Sequence, residues 1–163
     1  MSTCGLYDRS TRLLKNEDKR TQLKISTPYF AAKASGEKLF SEQGMSTILR
    51  LAAPVGTGLK PRLVLSRFIS TARNNKAINI WGSGTREQNF IDTTDIANLI
   101  IKILKQPKRA TINVASSKPI TMLKLAEKIV SVIGSGSIAM SGQSDPRDRE
   151  TARYSIDKSE KLY

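Results

Sequence analysis

The chain has 163 residues, 39% of them apolar and 25% charged, and a formal net charge of +13; this suits a folded protein with a core and excludes fibrous and disordered classes. A lone cysteine, Cys4, excludes an internal disulfide, points to a reducing compartment and leaves no cysteine cluster for a metal, while the lack of histidine excludes Ser-His-Asp and Cys-His nucleophile systems and histidine metal sites. The basic residues are spread, with mild concentrations at 9–24, 102–109 and 147–153 among polar or acidic neighbours, which argues against a nucleic-acid-binding surface.

In chain order, residues 1–8 are mostly small or apolar, like the end of a strand, and the segment before Met1 is expected to be missing. Residues 9–26 are charged without a sustained period and predict a surface loop. Thr27 as cap, Pro28 at the first helical position and Gly44 as stop predict a helix up to Gln43. A buried strand is expected over 46–53, then a loop over 54–61 with its Pro and Gly residues. Leu65, Phe68, Ile69 and Ala72 recur at helical spacing, and the helix should end near Asn74 and Asn75.

A strand over 77–81 leads to the turn Gly82-Ser83-Gly84, with a short extended piece at 89–91. Gly82 and Gly84 suit a strand turn, since no third glycine opens a helix after them as a phosphate loop requires. Thr94 should open a helix closed before Pro107, with Ile96, Leu99, Ile100, Ile103 and Leu104 on one face. Its apolar run is broken by Asn98 and Lys102 and falls short of the roughly 20 residues of a membrane span, and no signal-peptide pattern opens the chain, so a cytoplasmic protein is expected. A strand over 111–115, a helix capped by Thr121 and stopped at Gly134, a last strand over 137–141 and a charged loop over 144–152 complete the chain. Strands and helices alternate throughout, predicting an α/β fold with a parallel sheet.

The sharpest chemical feature is Tyr29-Phe30-Ala31-Ala32-Lys33. Residues four apart share a helix face, so the Tyr29 phenol and the Lys33 ammonium can address one site. An unaided phenol titrates near pH 10, and a neighbouring cation favours its ionised form.

With the preceding Ser2-Thr3-Cys4-Gly5-Leu6-Tyr7-Asp8 segment, the pair resembles the extended short-chain dehydrogenase/reductase family, which holds the NAD-dependent sugar-nucleotide epimerases and dehydratases. The ordered segments Ser35-Gly36-Glu37, Ile48 to Gly56, Ile78 to Gly84, Asn89-Phe90-Ile91, Asp95-Ile96-Ala97 and Thr111 to Ala115 extend the likeness, and Asp157-Lys158-Ser159 matches loosely. The resemblance implies a partial Rossmann-type sheet from its fifth strand onward, interleaved with a small α/β substrate-binding subdomain. Residues 1–61 would be the C-terminal half of the Rossmann domain, and 62–163 mainly the substrate subdomain, with 89–115 returning to the sheet.

It further implies that Tyr29 exchanges a proton with a sugar hydroxyl, that Thr3 hydrogen-bonds the same oxygen, and that Lys33 holds the ribose of NAD or NADP and favours the phenolate; no metal takes part. Arg86, Gln88 and Arg147 would contact the sugar-nucleotide substrate, although the family's usual arginine before the Asn-Phe pair is Gln88 here. An asparagine common in relatives is replaced by Ala53. The family's Gly-x-x-Gly-x-x-Gly turn, which binds the cofactor pyrophosphate, is absent from these residues and would precede Met1, so a truncated chain inactive alone is expected. A homodimer is implied for the full-length enzyme, and no membrane partner. The competing readings are an NAD(P)H-dependent reductase of the same family and a non-catalytic nucleotide or nucleic-acid binding module.

Overall fold

The computed structural model describes residues 1–17 and 23–163. They divide into a first compact unit, residues 1–56, 89–119 and 152–163, and a second, residues 57–88 and 120–151.

In the first unit, β1 (Ser2–Thr3), β2 (Thr47–Leu51) and β7 (Ala110–Val114) form a parallel sheet in the order β1-β2-β7. Ser2 lies opposite Arg50, and Leu49 opposite Ile112. A 3-10 helix, Cys4–Leu6, follows β1, and the long helix α1 spans Pro28–Glu42. Thr27 caps α1, its hydroxyl oxygen accepting from the Phe30 amide, and Pro28 sits where no amide proton is required. β3 (Ala53–Val55) pairs in parallel with β6 (Phe90–Asp92), and α3 runs over Thr93–Lys105. Leu49, Ile112 and Val114 from the sheet pack with Ile96 of α3 into one apolar cluster, and Leu99, Ile100 and Ile103 join it from the helical face foreseen in the sequence. A second cluster gathers Cys4, Tyr7, Ala52, Ala115, Ala152 and Tyr154.

In the second unit, β4 (Ala77–Ile80) pairs in parallel with β9 (Ser137–Met140), while α2 (Val64–Arg73) packs against α4 (Met122–Ile133). The Thr121 hydroxyl accepts from the Lys124 amide to open α4, and Gly134, with φ of 73°, closes it in the left-handed region that suits glycine. β5 (Glu87–Gln88) and β8 (Ile120–Thr121) form a short antiparallel pair. Within this unit Gly136, at φ of 86°, lies so close to α2 that a Cβ would stand 2.9 Å from the Ala72 Cα.

The α/β character and the parallel pairing agree with the sequence. Several local expectations do not. The proline-rich segment after Leu51 begins as strand β3, because Pro54 sits on a two-stranded edge where its missing amide costs no ladder bond. Helix α3 opens one residue early, capped by Asp92, whose carboxylate accepts from the Thr94 amide. The C-terminal Asp157 opens a short helix, α5 (Asp157–Leu162). The stretch expected as a surface loop, of which residues 18–22 lie outside the described residues, buries Lys15 to 3% exposure. There the Lys15 amide donates to the Arg153 carbonyl, the Ser155 amide donates back to the Lys15 carbonyl, and the ammonium donates to the Thr11 carbonyl.

Ile112 is fully buried and Leu104 is 75% exposed. Ile112→Ala should therefore destabilise the first unit by about 3 kcal/mol, and Leu104→Ala by less than about 0.5 kcal/mol, as read from urea unfolding followed by circular dichroism.

Candidate functional site

The first unit carries Thr3, Tyr29 and Lys33. Thr3 ends β1, and its hydroxyl oxygen accepts from the Gly5 amide at 3.0 Å, which fixes the side chain while leaving the hydroxyl proton to donate. A Cβ at Gly5 would lie 2.8 Å from the Phe30 ring, so the 3-10 helix and the first turn of α1 touch. Tyr29 and Lys33 stand one turn apart on α1, the ammonium 5.7 Å from the phenol ring centroid. The same ammonium donates to the Met1 carbonyl at 3.4 Å, reaching the strand that bears Thr3. Tyr29 is 57% exposed, and among the described residues its hydroxyl makes no hydrogen bond. Lys33 also borders a cavity of about 350 Å³ with Ser2, Gly36, Glu37 and Thr47.

Beneath this helix lies a polar network that the sequence did not suggest. Arg50, beside the apolar Ile48 and Leu49 on β2, donates through Nε and Nη2 to both carboxylate oxygens of Glu37 at 2.9 and 2.7 Å, and through Nη1 to the Tyr7 hydroxyl at 2.8 Å. Tyr7 in turn donates to Asn113 Oδ1 at 2.9 Å. The buried Asn113 side-chain amide donates to the carbonyls of Ser155 and Lys15, and its backbone amide donates to Glu17. One signal pointed here: an arginine inside a buried strand needs an anionic partner.

Desolvation pushes the Cys4 thiol from an ordinary 9.0 up to about 12, and the Tyr7 phenol from 10.0 to about 12, although the nearby Arg50 pulls both down. Burial works against the Arg50 charge, but the hydrogen bonds and charges of Glu37 and Tyr7 together outweigh it and hold Arg50 protonated.

The second unit carries Arg86, Gln88 and Arg147. A cavity of about 600 Å³ is bordered there by Arg86 and Arg147, together with Arg62, Arg67, Trp81 and Asp145. Arg86 Nη1 pairs with Asp145 at 3.1 Å. The Asp145 carboxylate also accepts from the Arg147 amide at 2.9 Å, which holds the loop bearing that arginine. Gln88 sits on β5 opposite Ile120 and is not among the residues bordering the cavity. The turn expected at residues 82–84 is present: Gly82 and Gly84 both have positive φ, and Asp148 accepts from the Ser83 amide. That bond, made to the ionised carboxylate, keeps Asp148 below the usual carboxylate range. Arg62, Arg67 and Trp81 were not singled out from the sequence, where isolated arginines resemble any solvated surface.

Residues 1–115 match the model of the NAD dependent epimerase/dehydratase family. The chain belongs to this family. A dTDP-4-dehydro-6-deoxy-D-allose reductase from Streptomyces bikiniensis is 28% identical over 146 residues, covering 82% of the chain and 45% of that protein. A human dTDP-D-glucose 4,6-dehydratase is 28% identical over 139 residues, covering 82% of the chain and 39% of the relative. The chain thus spans less than half the length of these curated relatives. Among solved structures, the UDP-N-acetylglucosamine 4-epimerase of Methanobrevibacter ruminantium, determined with UDP-N-acetylmuramic acid, superposes with a TM-score of 0.85 at 25% identity, over 99% of the chain and 54% of its own. Membership in this epimerase/dehydratase family agrees with the resemblance read from Tyr29, Lys33 and their ordered neighbours.

The buried thiol and phenol give the first unit an alkaline weakness. The unfolded chain releases the Cys4 and Tyr7 protons near their ordinary values while the folded chain holds them, so stability is full below about pH 9 and falls as pH rises towards 12. Tyr7→Phe should make that decline shallower, which unfolding midpoints collected from neutrality to about pH 10.5 will check.

Proposed function

We propose that the chain is the catalytic and substrate-binding portion of an NAD(P)-dependent sugar-nucleotide epimerase or dehydratase, with Tyr29 as its acid-base group. The observation that carries this reading is the junction of α1 with β1. The Lys33 ammonium lies 5.7 Å from the Tyr29 ring and bonds the carbonyl two residues before Thr3.

The residues of the first unit fit the nicotinamide-ribose end of such a cofactor. The Tyr29 hydroxyl is exposed and uncommitted among the described residues, and the Lys33 ammonium has donors beyond its one long bond. When bound, the nicotinamide would supply reversible hydride-acceptor chemistry at the sugar. Tyr29 holds or takes the proton of the reacting hydroxyl. Thr3, its oxygen already accepting from Gly5, donates its proton to the same sugar oxygen. Lys33 holds the ribose, its ammonium standing 5.7 Å from the Tyr29 ring centroid. Solved neighbours carry NAD or NADPH, which supports a nicotinamide cofactor without choosing between them. The pyrophosphate end has no counterpart: the chain lacks the Gly-x-x-Gly-x-x-Gly turn whose amides would hold it. The isolated chain therefore binds the dinucleotide weakly and turns over little.

The second unit supplies the nucleotide-diphosphate site. Planar guanidinium groups suit phosphate oxygens, and an indole suits a base; Arg62, Arg67, Arg86, Arg147 and Trp81 around one cavity provide both. Asp145, paired with Arg86, is the group a diphosphate would displace. Neighbouring structures bind UDP-glucuronic acid and UDP-glucose, which supports this ligand class.

A second reading, a reductase of the same family, is favoured by Ala53 in place of the usual asparagine and by the allose reductase relative. A product assay on the full-length parent separates the two, because an epimerase or dehydratase returns its cofactor unchanged and a reductase consumes it.

Calorimetric titration of the 163-residue chain tests the proposal. A uridine or thymidine diphosphate sugar should bind, with Arg62→Ala and Arg147→Ala each weakening affinity by roughly 10- to 100-fold, while NAD alone should bind weakly. Tight NAD binding, or sugar-nucleotide affinity indifferent to both arginines, would overturn it.

A further inference from the structure

Helix α1 carries both Tyr29 and Lys33, yet it has no buried residue, and Leu39 and Phe40 on it are more than half exposed. An amphipathic helix is normally seated by its apolar face. Beyond the Phe30–Gly5 contact this one has no such seat, so something else must help fix where its phenol and ammonium stand relative to Thr3. Its attachment to the central strand is polar. Glu37 lies one turn beyond Lys33 and two turns beyond Tyr29, on the same helix face. Its carboxylate is gripped at both oxygens by Arg50, and the two side chains are only 11% and 10% exposed.

Arg50 also has a second hold. Its third donor reaches the Tyr7 hydroxyl, and its backbone carbonyl accepts from the Cys4 thiol at 3.0 Å. Cys4 and Tyr7 bracket the 3-10 helix that Thr3 caps. One side chain on the central strand therefore ties down the segment after Thr3 and the helix bearing Tyr29 and Lys33.

We propose that Arg50 is a positioning residue: its guanidinium fork, clamped on Glu37 and Tyr7, sets the register of the Tyr29/Lys33 helix against the Thr3 segment. This rests on the reading of Tyr29 as the proton-transfer group only for its catalytic consequence; the geometric part stands alone. The guanidinium is required, not merely a positive charge. Bidentate recognition of Glu37 plus a donor to Tyr7 needs a planar fork, and a lysine ammonium supplies a single compact charge.

The structural readout is the contact between Phe30 and Gly5, where the ring packs so closely that it excludes a Cβ. Nuclear Overhauser contacts between the Phe30 ring and the Gly5 α-protons are followed in the wild-type chain and in Arg50→Lys, Arg50→Met and Glu37→Gln. Second-unit amide resonances serve as the control for intact folding. The proposal expects the contact in the wild type, its loss in Arg50→Met and no rescue by Arg50→Lys. Where Arg50→Met fails to fold, Glu37→Gln, which keeps one acceptor for the fork, carries the test and should weaken the contact. Retention of the full contact in folded Arg50→Lys and Glu37→Gln overturns the proposal.

Turnover of a nucleotide sugar, with NAD supplied, by an enzyme that carries the same substitutions and also the cofactor-binding half tests the catalytic consequence. A kcat reduced about 100-fold with KM little changed is expected of a misplaced catalytic helix, and an equal kcat in Arg50→Lys contradicts that role.

Discussion

The first unit is organised around a charge that cannot be left alone. Arg50 sits in the middle of a parallel sheet, on a strand whose neighbours Ile48 and Leu49 are buried apolar residues. A guanidinium taken out of water must be met by an anion and by acceptors for its N–H groups. Glu37 and the Tyr7 hydroxyl meet that demand, and Asn113 in turn accepts from Tyr7. Removing one partner of such a pair typically costs about 3 to 5 kcal/mol, so the network constrains the sequence more sharply than any single apolar contact around it. It also joins elements that the apolar clusters do not, since α1 contributes no buried residue to either cluster.

The second unit solves a different problem. Its buried apolar residues Ala72, Ile78, Ile80, Leu125 and Ile129 come from α2, β4 and α4. The arginines are left at the rim of a cavity with one aspartate among them. Clustered cations with so little compensation repel one another, and an anionic ligand relieves that repulsion. Part of the chain's +13 charge is thus gathered around one cavity of this unit.

Much of the fold was legible because the helices follow ordinary rules. Thr27 with Pro28 at one helix, and Thr121 with Gly134 at another, mark their ends by local chemistry alone. Tyr29 and Lys33 were legible because four residues make one helical turn. Arg50 and Glu37 were not read together, since the sheet and a helix bring them into contact across 13 positions and no local pattern links them. Lys15 was missed for a related reason: its burial follows from backbone bonding to the segment 153–155, a pairing nearly the whole chain apart. The basic cavity was only partly legible. Arg86 and Arg147 stood out through the family resemblance, whereas Arg62 and Arg67 acquire meaning only once the loop and α2 bring them to the same cavity. Gln88, also chosen by resemblance, lies on the short β5–β8 ladder opposite Ile120.

The most direct measurement of the central claim, that one buried polar network organises the first unit, is a double-mutant cycle between Arg50→Met and Tyr7→Phe by urea unfolding. Coupling of about 1 kcal/mol or more is the predicted result, because either change alone strands the other's hydrogen-bonding group. Additivity within about 0.3 kcal/mol would contradict the account and leave Arg50 as an isolated ion pair on an independently folded sheet.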